Sequence, residues 1–301
     1  MSIAKYIKEI GRGKQGARSL PREHAADLFG QVLDGAVTDL EIGGFCLAMR
    51  IKGETAAEMA GFLDATQLRL HQVPAARRPV VVIPSYNGAR KLPALTPLLA
   101  LLLAREGLPV LLHGVASEST RVFTSSVLEA LGIPAQTTVG AAPAGEVTFL
   151  PTAVLCPGLQ RLLDVRRAVG LRNPAHSLVK IMNPCLGKSL VLSSYTHPEY
   201  AVAMAATFEL TLANAILLRG TEGESVADPR RMPKMVGFLH GRHILLQEAQ
   251  NGALSTLPDL PKEIDAITTA RYIRDVLDGS CPTPAPIRQQ VTHVLSMVNQ
   301  L

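Results

Sequence analysis

"VVVIPSYNGARK" (residues 80–91) decides how this chain is read. The apolar run Val80–Ile83 has the pattern of a short buried strand, and "PALTPLLALLLAREG" (93–107) is helix-like. A strand, a glycine-bearing turn and a helix, in that order, form the unit of an α/β sheet, and the turn is where such proteins often hold phosphate. This turn contains Ser85, Tyr86, Asn87 and a single glycine, Gly88, followed by the adjacent cations Arg90 and Lys91, with no carboxylate.

The same alternation continues outward. "LPVLLHG" (108–114), "VTFLPT" (147–152), "SLVLSS" (189–194), "NAILLRG" (214–220) and "MVGFLHG" (235–241) read as short buried strands. Helical stretches are expected at 93–106, 119–131 and 155–169, which implies a largely parallel sheet. After residue 245 the pattern is helical or loop, with proline-rich connections around 257–261 and 282–286. Toward the N-terminus the pattern is all-helical over residues 1–72. Pro21 stands near a helix start and Gly35 at its stop, while "TDLE" (38–41) and "TAAE" (55–58) are capping boxes, and Gly53 ends the helix between them. "QVPAARRP" (72–79) is a linker. The fold class is therefore α/β: a small all-helical domain over 1–75, and a larger α/β domain over 76–301 with a mostly parallel central sheet.

Composition narrows the function classes. The 301 residues are 47% hydrophobic and 18% charged with no tryptophan, a soluble globular composition. The longest nearly uninterrupted apolar stretch, Leu92 to Ala104, falls short of the roughly 18 residues needed to cross a bilayer. No signal-peptide core interrupts "MSIAKYIKEI", so a cytoplasmic protein without a membrane partner is expected. Cys46, Cys156, Cys185 and Cys281 are far apart and form no CxxC, which suggests neither a zinc site nor a disulfide framework. The formal net charge of +5 sits entirely in residues 1–22, where Lys5, Lys8, Arg12, Lys14, Arg18 and Arg22 face one acid, Glu9. Ile3, Tyr6, Ile7 and Ile10 make one apolar stripe, so these cations ride on a docked helix that runs into the basic loop "GRGKQG" (11–16). A solvated terminus and an anion-binding arm are both consistent with that.

"LPREHAADLFGQVLDGAVTDLEIGGFCLAMRIKGETAAEMAGFLDA" (20–65) resembles the helical N-terminal domain of anthranilate phosphoribosyltransferases, in glycosyltransferase family 3. "SVLEALGI" (126–133), "VRRAVGLRNPAHSLVKIMNP" (165–184) and "THPEY" (196–200) match further landmarks in order, so the similarity spans about 18–235. The resemblance implies a nucleoside-phosphorylase-like phosphoribosyltransferase fold. Its helical domain would be joined in space by about 165–190, its cleft would lie between the domains, and its homodimer would form through the helical domain. Enzymes of the family carry another helix after the equivalent of "IRQQVTHVLSMV" (287–298), so a shorter C-terminus is implied here, with altered packing near the cleft.

The family's catalytic motifs are degenerate. The "GTGGD" pyrophosphate loop is replaced by "SYNGA", Ser85 to Ala89, where only Gly88 keeps the freedom for close approach. "KHGNR" falls on "LHGVA": His113 and Gly114 remain, while Leu112, Val115 and Ala116 replace the polar donors. The acidic pair that holds magnesium aligns with Ser225 and Val226, leaving Glu222, Glu224 and Asp228 as the only nearby acids that a shifted register would recruit. Losing all three features argues against pyrophosphate-displacing chemistry, so no catalytic residue, cofactor or metal is expected.

What remains is basic. Arg121 stands where the enzymes have lysine and Lys180 where they have proline. "IKEIGRGK" (7–14), "IPSYNGARK" (83–91), "GLRNPAH" (170–176) and "RGTEGE" (219–224) together resemble the YbiB-type branch of the fold, which implies a non-catalytic homodimer that binds nucleic acid without sequence preference. The phosphate-contacting set expected from it is Lys5, Lys8, Arg12, Lys14, Arg18, Arg90, Lys91, Arg121, Arg166, Arg167, Arg172, His176 and Lys180. Tyr86 either stacks on a base or packs, and Asp164 is close enough to pair with the arginines of 166–172. His113 reads as structural, and His240 with His243, lacking a third ligand, as a turn. Two alternatives stay open: a transferase with altered substrate and metal use, and an interaction module for an acidic partner or small phosphate ligand.

Overall fold

A computed structural model describes residues 2–13, 15–115, 121–254 and 257–301. The chain opens with four helices, α1 (Ala4–Ile10), α2 (Arg22–Leu33), α3 (Asp39–Lys52) and α4 (Ala56–Gln67). Both capping boxes are formed: the Thr38 and Thr55 side chains accept from the Glu41 and Glu58 backbone N–H groups, and each glutamate reaches back to its cap. Glu58 is fully buried, and Lys52 holds it at 2.7 Å while the Leu20 N–H donates to it at 2.9 Å. Phe29, Phe45 and Phe62 pack together at the centre of these helices, with Phe29 and Phe62 stacked at 4.6 Å between ring centroids.

The rest of the chain is built on a seven-stranded sheet of order β3-β2-β1-β4-β5-β6-β7. Its strands are β1 (Val80–Ser85), β2 (Val110–Gly114), β3 (Val147–Pro151), β4 (Ser189–Tyr195), β5 (Ala215–Arg219), β6 (Met235–Leu239) and β7 (Arg242–Gln247). The first five in chain order are parallel, with Ser85 level with Gly114 across β1 and β2; β6 and β7 run antiparallel. β1, β2 and β4 are buried along almost their whole length, which explains their unbroken apolar runs.

The helices of this part are α5 (Thr96–Arg105), α6 (Thr124–Ala130), α7 (Thr152–Leu155), α8 (Pro157–Val169), α9 (Ala175–Leu178), α10 (Pro198–Leu210), α11 (Ala266–Asp278) and α12 (Ala285–Val298), with a 3₁₀ turn at Thr221–Gly223. One apolar cluster runs from the N-terminal helices through α8 and α9 onto one face of the sheet; a second fills the opposite face beneath α5, α6, α11 and α12. α8 approaches α2 so closely that a Cβ on Gly158 would lie 2.2 Å from the Leu33 carbonyl oxygen, and Arg161 donates to that same oxygen at 2.7 Å.

Three expectations need correction. β7 is not among the expected strands; "RHILLQ" returns along β6 through a two-residue turn at His240 and Gly241, with φ of 48° and 78°. Its apolar run, Ile244–Leu246, is short and flanked by Arg242, His243 and Gln247, and its residues are mostly exposed. The helix expected at 155–169 is divided at Cys156, ahead of Pro157. The helix expected at 119–131 begins, among the described residues, at Thr124. Among the described residues no helix is long and apolar enough to cross a membrane.

Candidate anion-binding cleft

The turn after β1 is held from both sides. Gly88 has a φ of 66°, a left-handed bend that favours glycine, and a Cβ there would crowd Val122, Arg121 and Phe123 at 3.1 to 3.3 Å. Ala89 and Val122 exchange backbone hydrogen bonds of 2.8 and 2.9 Å. Arg121 reinforces that side by donating to the carbonyl oxygens of Asn87 at 3.2 Å and Gly88 at 3.4 Å. Gly114 permits the neighbouring strand's approach: a Cβ on it would sit 2.0 Å from the Ser85 carbonyl oxygen.

Two carboxylates close the other side. Glu224, buried, accepts from the backbone N–H groups of Asn87 at 2.6 Å and Gly88 at 2.9 Å, from the Ser85 hydroxyl, and from Thr96 Oγ1 at 3.4 Å. Glu222 accepts from the N–H groups of Arg90 and Lys91 at 2.9 Å each and of Leu92 at 3.2 Å. Burial pushes the Glu222 carboxyl up, but these three amides outweigh it and hold the group below the ordinary carboxylate range. The carboxylates are aimed by a backbone bend through the left-handed region, with φ of 52° at Glu222 and 86° at Gly223.

The rescue of a metal site from Glu222, Glu224 and Asp228 therefore has no support in this arrangement. The first two cap the turn, and Asp228 is paired with Arg230 at 2.8 Å. Ser225 donates to the Pro84 carbonyl oxygen at 3.3 Å, and Val226 is buried in the core. Among the described residues, no group of three or more His, Cys, Asp or Glu side chains is arranged to hold a metal ion.

Tyr86 belongs to the packing of the cleft wall. Its hydroxyl is 2.8 Å from both His113 Nδ1 and Thr152 Oγ1, and the two rings meet edge to face at 5.6 Å. Burial raises the Tyr86 phenol above its ordinary value and lowers the His113 imidazole to about 3, so both are neutral. His113 is thus a structural histidine.

Two adjoining cavities lie beyond this wall. One, of about 460 Å³, is lined by Tyr86, Asn87, Arg121, Asp164, Arg166, Arg167, Arg172 and His176 among others. The second, of about 480 Å³, is lined by Arg50, Glu54, Arg172, His176, Lys180, Thr196, His197 and Tyr200 among others. Arg172 and His176 line both, and Arg172 reaches the Asn87 side-chain oxygen at 3.5 Å. Burial, then Arg166 and Arg121, lower the Arg172 guanidinium, although the residue keeps solvent access. Burial and Arg172 lower the His176 imidazole to about 4, so it stands neutral among cations. Burial lowers Lys180 to about 8, opposed by Glu224 and assisted by Arg172. Asp164 approaches Arg167 at 3.6 Å, an exposed pair that screens little of the cluster.

The structure thus gathers Arg121, Arg166, Arg167, Arg172, His176 and Lys180 and leaves other expected residues elsewhere. Arg90 and Lys91 are exposed at the far end of the turn and line neither cavity, nor do Lys5, Lys8, Arg12 or Arg18. Lys5 lies over the Tyr6 ring at 4.5 Å, and Arg12 pairs with Glu9 at 2.7 Å. Lys14 and Ala116 lie outside the described residues. Sequence reading missed Arg50, and it missed the role of Glu222 and Glu224. The available signal was a buried turn rich in N–H donors with no acceptor of its own.

A model of the glycosyl transferase family helical bundle domain matches residues 4–67. The uncharacterized protein YbiB of Escherichia coli (strain K12) is 44% identical over 302 residues, covering 98% of this chain and 94% of its own. Anthranilate phosphoribosyltransferase from Thermus thermophilus superposes with a TM-score of 0.73 at 21% identity, covering 98% of this chain and 89% of that one. The Saccharomyces cerevisiae enzyme in complex with PRPP and Mg gives 0.70 at 15%, covering 99% and 88%. With a helical bundle leading a mostly parallel sheet, and a relative this similar along nearly its whole length, the chain belongs to the YbiB-type branch of the anthranilate phosphoribosyltransferase-like proteins of glycosyltransferase family 3.

Proposed function

We propose that this protein binds nucleic acid without sequence preference, using the cationic cleft and no phosphoribosyl transfer. The observation that carries this reading is the convergence of Arg121, Arg166, Arg167 and Arg172 on one cavity where, among the described residues, Asp164 is the only carboxylate in the lining. Clustered guanidinium groups bind phosphodiester oxygens and release counterions, which is the sequence-independent part of nucleic-acid affinity. In the arginine-lined cavity Tyr86 is tied by its hydroxyl and Phe123 is buried, so phosphate contacts dominate over base stacking there. The exposed cations of α1, with Arg90 and Lys91, extend the contact outside the cleft. The working unit is a homodimer through the helical domain, a reading supported by the exposed apolar residues Leu40, Leu47 and Ile51 of α3.

Fluorescence anisotropy with labelled single-stranded and duplex oligonucleotides, titrated across salt, tests this. Submicromolar binding at low salt that falls steeply as salt rises is the expected result. Absence of binding at low salt overturns it.

A further inference from the structure

Four donors converge on one carboxylate at the head of the turn. Two are successive backbone amides, Asn87 at 2.6 Å and Gly88 at 2.9 Å, and two are hydroxyls, those of Ser85 and Thr96. Successive N–H groups in a left-handed bend make an anion-binding concavity, and hydroxyl donors complete its wall. All four donor residues are buried, and so is the occupant, Glu224. Phosphate oxygens present the same acceptors as a carboxylate, so a phosphate group and Glu224 compete for one set of donors.

The occupant is held firmly. The Gly223 carbonyl oxygen, one residue before it, accepts from Ser194 Oγ at 2.7 Å and from Lys180 Nζ at 3.2 Å. Asn87 Nδ2 donates to the Glu222 carbonyl oxygen at 3.0 Å, so the turn grips the segment that fills it. A Cβ at Gly223 would fall 1.8 Å from Asn87 Nδ2, which leaves only glycine able to bring the carboxylate in.

We infer that Glu224 is a specificity determinant, an internal occupant that bars phosphate and diphosphate groups from the anion nest of residues 85–88 while leaving the arginine cleft open to a phosphodiester chain. The second half of this statement rests on the proposed function; the exclusion does not. Vacating the nest exposes a receptor for one phosphate or the end of a diphosphate.

Isothermal titration of inorganic pyrophosphate, with and without magnesium, into the full chain and into Glu224→Gln and Glu224→Ala tests this. The unaltered protein and Glu224→Gln, whose nests are filled, are expected to take up pyrophosphate only through the arginine cleft, and equally. Glu224→Ala is expected to bind it at least about tenfold more tightly, and its melting temperature to rise with added pyrophosphate through ligand linkage. That thermal shift also serves if the alanine variant is destabilised. Uptake by the unaltered protein as tight as by Glu224→Ala, or no gain in Glu224→Ala by either readout, overturns the inference. Neither result depends on oligonucleotide binding, so failure of the proposed function is read separately.

Discussion

The Tyr86 hydroxyl stands 2.8 Å from His113 Nδ1 and 2.8 Å from Thr152 Oγ1, joining the turn after β1 to the ends of β2 and β3. Tyr86→Phe removes both hydrogen bonds and leaves the buried imidazole without that partner. A loss of about 1–3 kcal/mol in denaturant-derived stability is expected. A change within error would show that the hydroxyl holds nothing in place.

Arg172 lines both cavities, so its loss affects any anion that enters either. Arg172→Ala is expected to weaken oligonucleotide binding about tenfold and to reduce the salt slope by about one, equally across sequences. Arg90→Glu with Lys91→Glu reports on the turn's outer end, and an affinity loss is expected there too. If that pair leaves affinity unchanged in anisotropy titrations, the contact surface stops at the cleft.

The histidines contribute to the acid behaviour beside lowered carboxyls such as Glu222. In the folded protein His113 titrates near 3 and His176 near 4, both below the ordinary 6.5. Between those values the unfolded chain binds more protons, so stability is full above about 6.5 and declines as pH falls toward about 3. Replacing His113 by Gln should flatten the acid limb of a melting-temperature profile. Binding has the opposite sign. A polyanion beside His176 raises its affinity for a proton, so oligonucleotide affinity is expected to climb as pH falls toward about 4, and His176→Gln to remove that climb.

Gly223 has a φ of 86° and no room for a side chain. Gly223→Ala is therefore expected to cost at least about 1–3 kcal/mol, through the left-handed backbone and the clash with Asn87. Circular-dichroism melting checks this; an unchanged midpoint would mean that the segment relaxes out of the turn freely.

Much of the fold was legible because its signals are local. The capping boxes at Thr38 and Thr55 and the apolar runs of β1 to β6 each lie within a few residues of the structure they specify. β7 escaped because its apolar run, Ile244–Leu246, is only three residues long and lies mostly exposed at the end of the sheet. The arginine cluster of 166–172 was legible through resemblance. The acceptors for the turn were not, since Glu224 lies more than 130 residues along the chain from Asn87 and only the sheet order brings them together. A carboxylate that caps amides and one that holds a metal look the same in a sequence.

The turn at 85–92 is clasped between Val122 on one flank and two glutamates on the other. A turn held on both flanks is not expected to close over an anion that enters the cleft. Association should then be a single kinetic phase, with a rate governed by long-range attraction rather than by rearrangement. The arrival rate should fall as ionic strength rises, while the departure rate reports the number of contacts each strand has made.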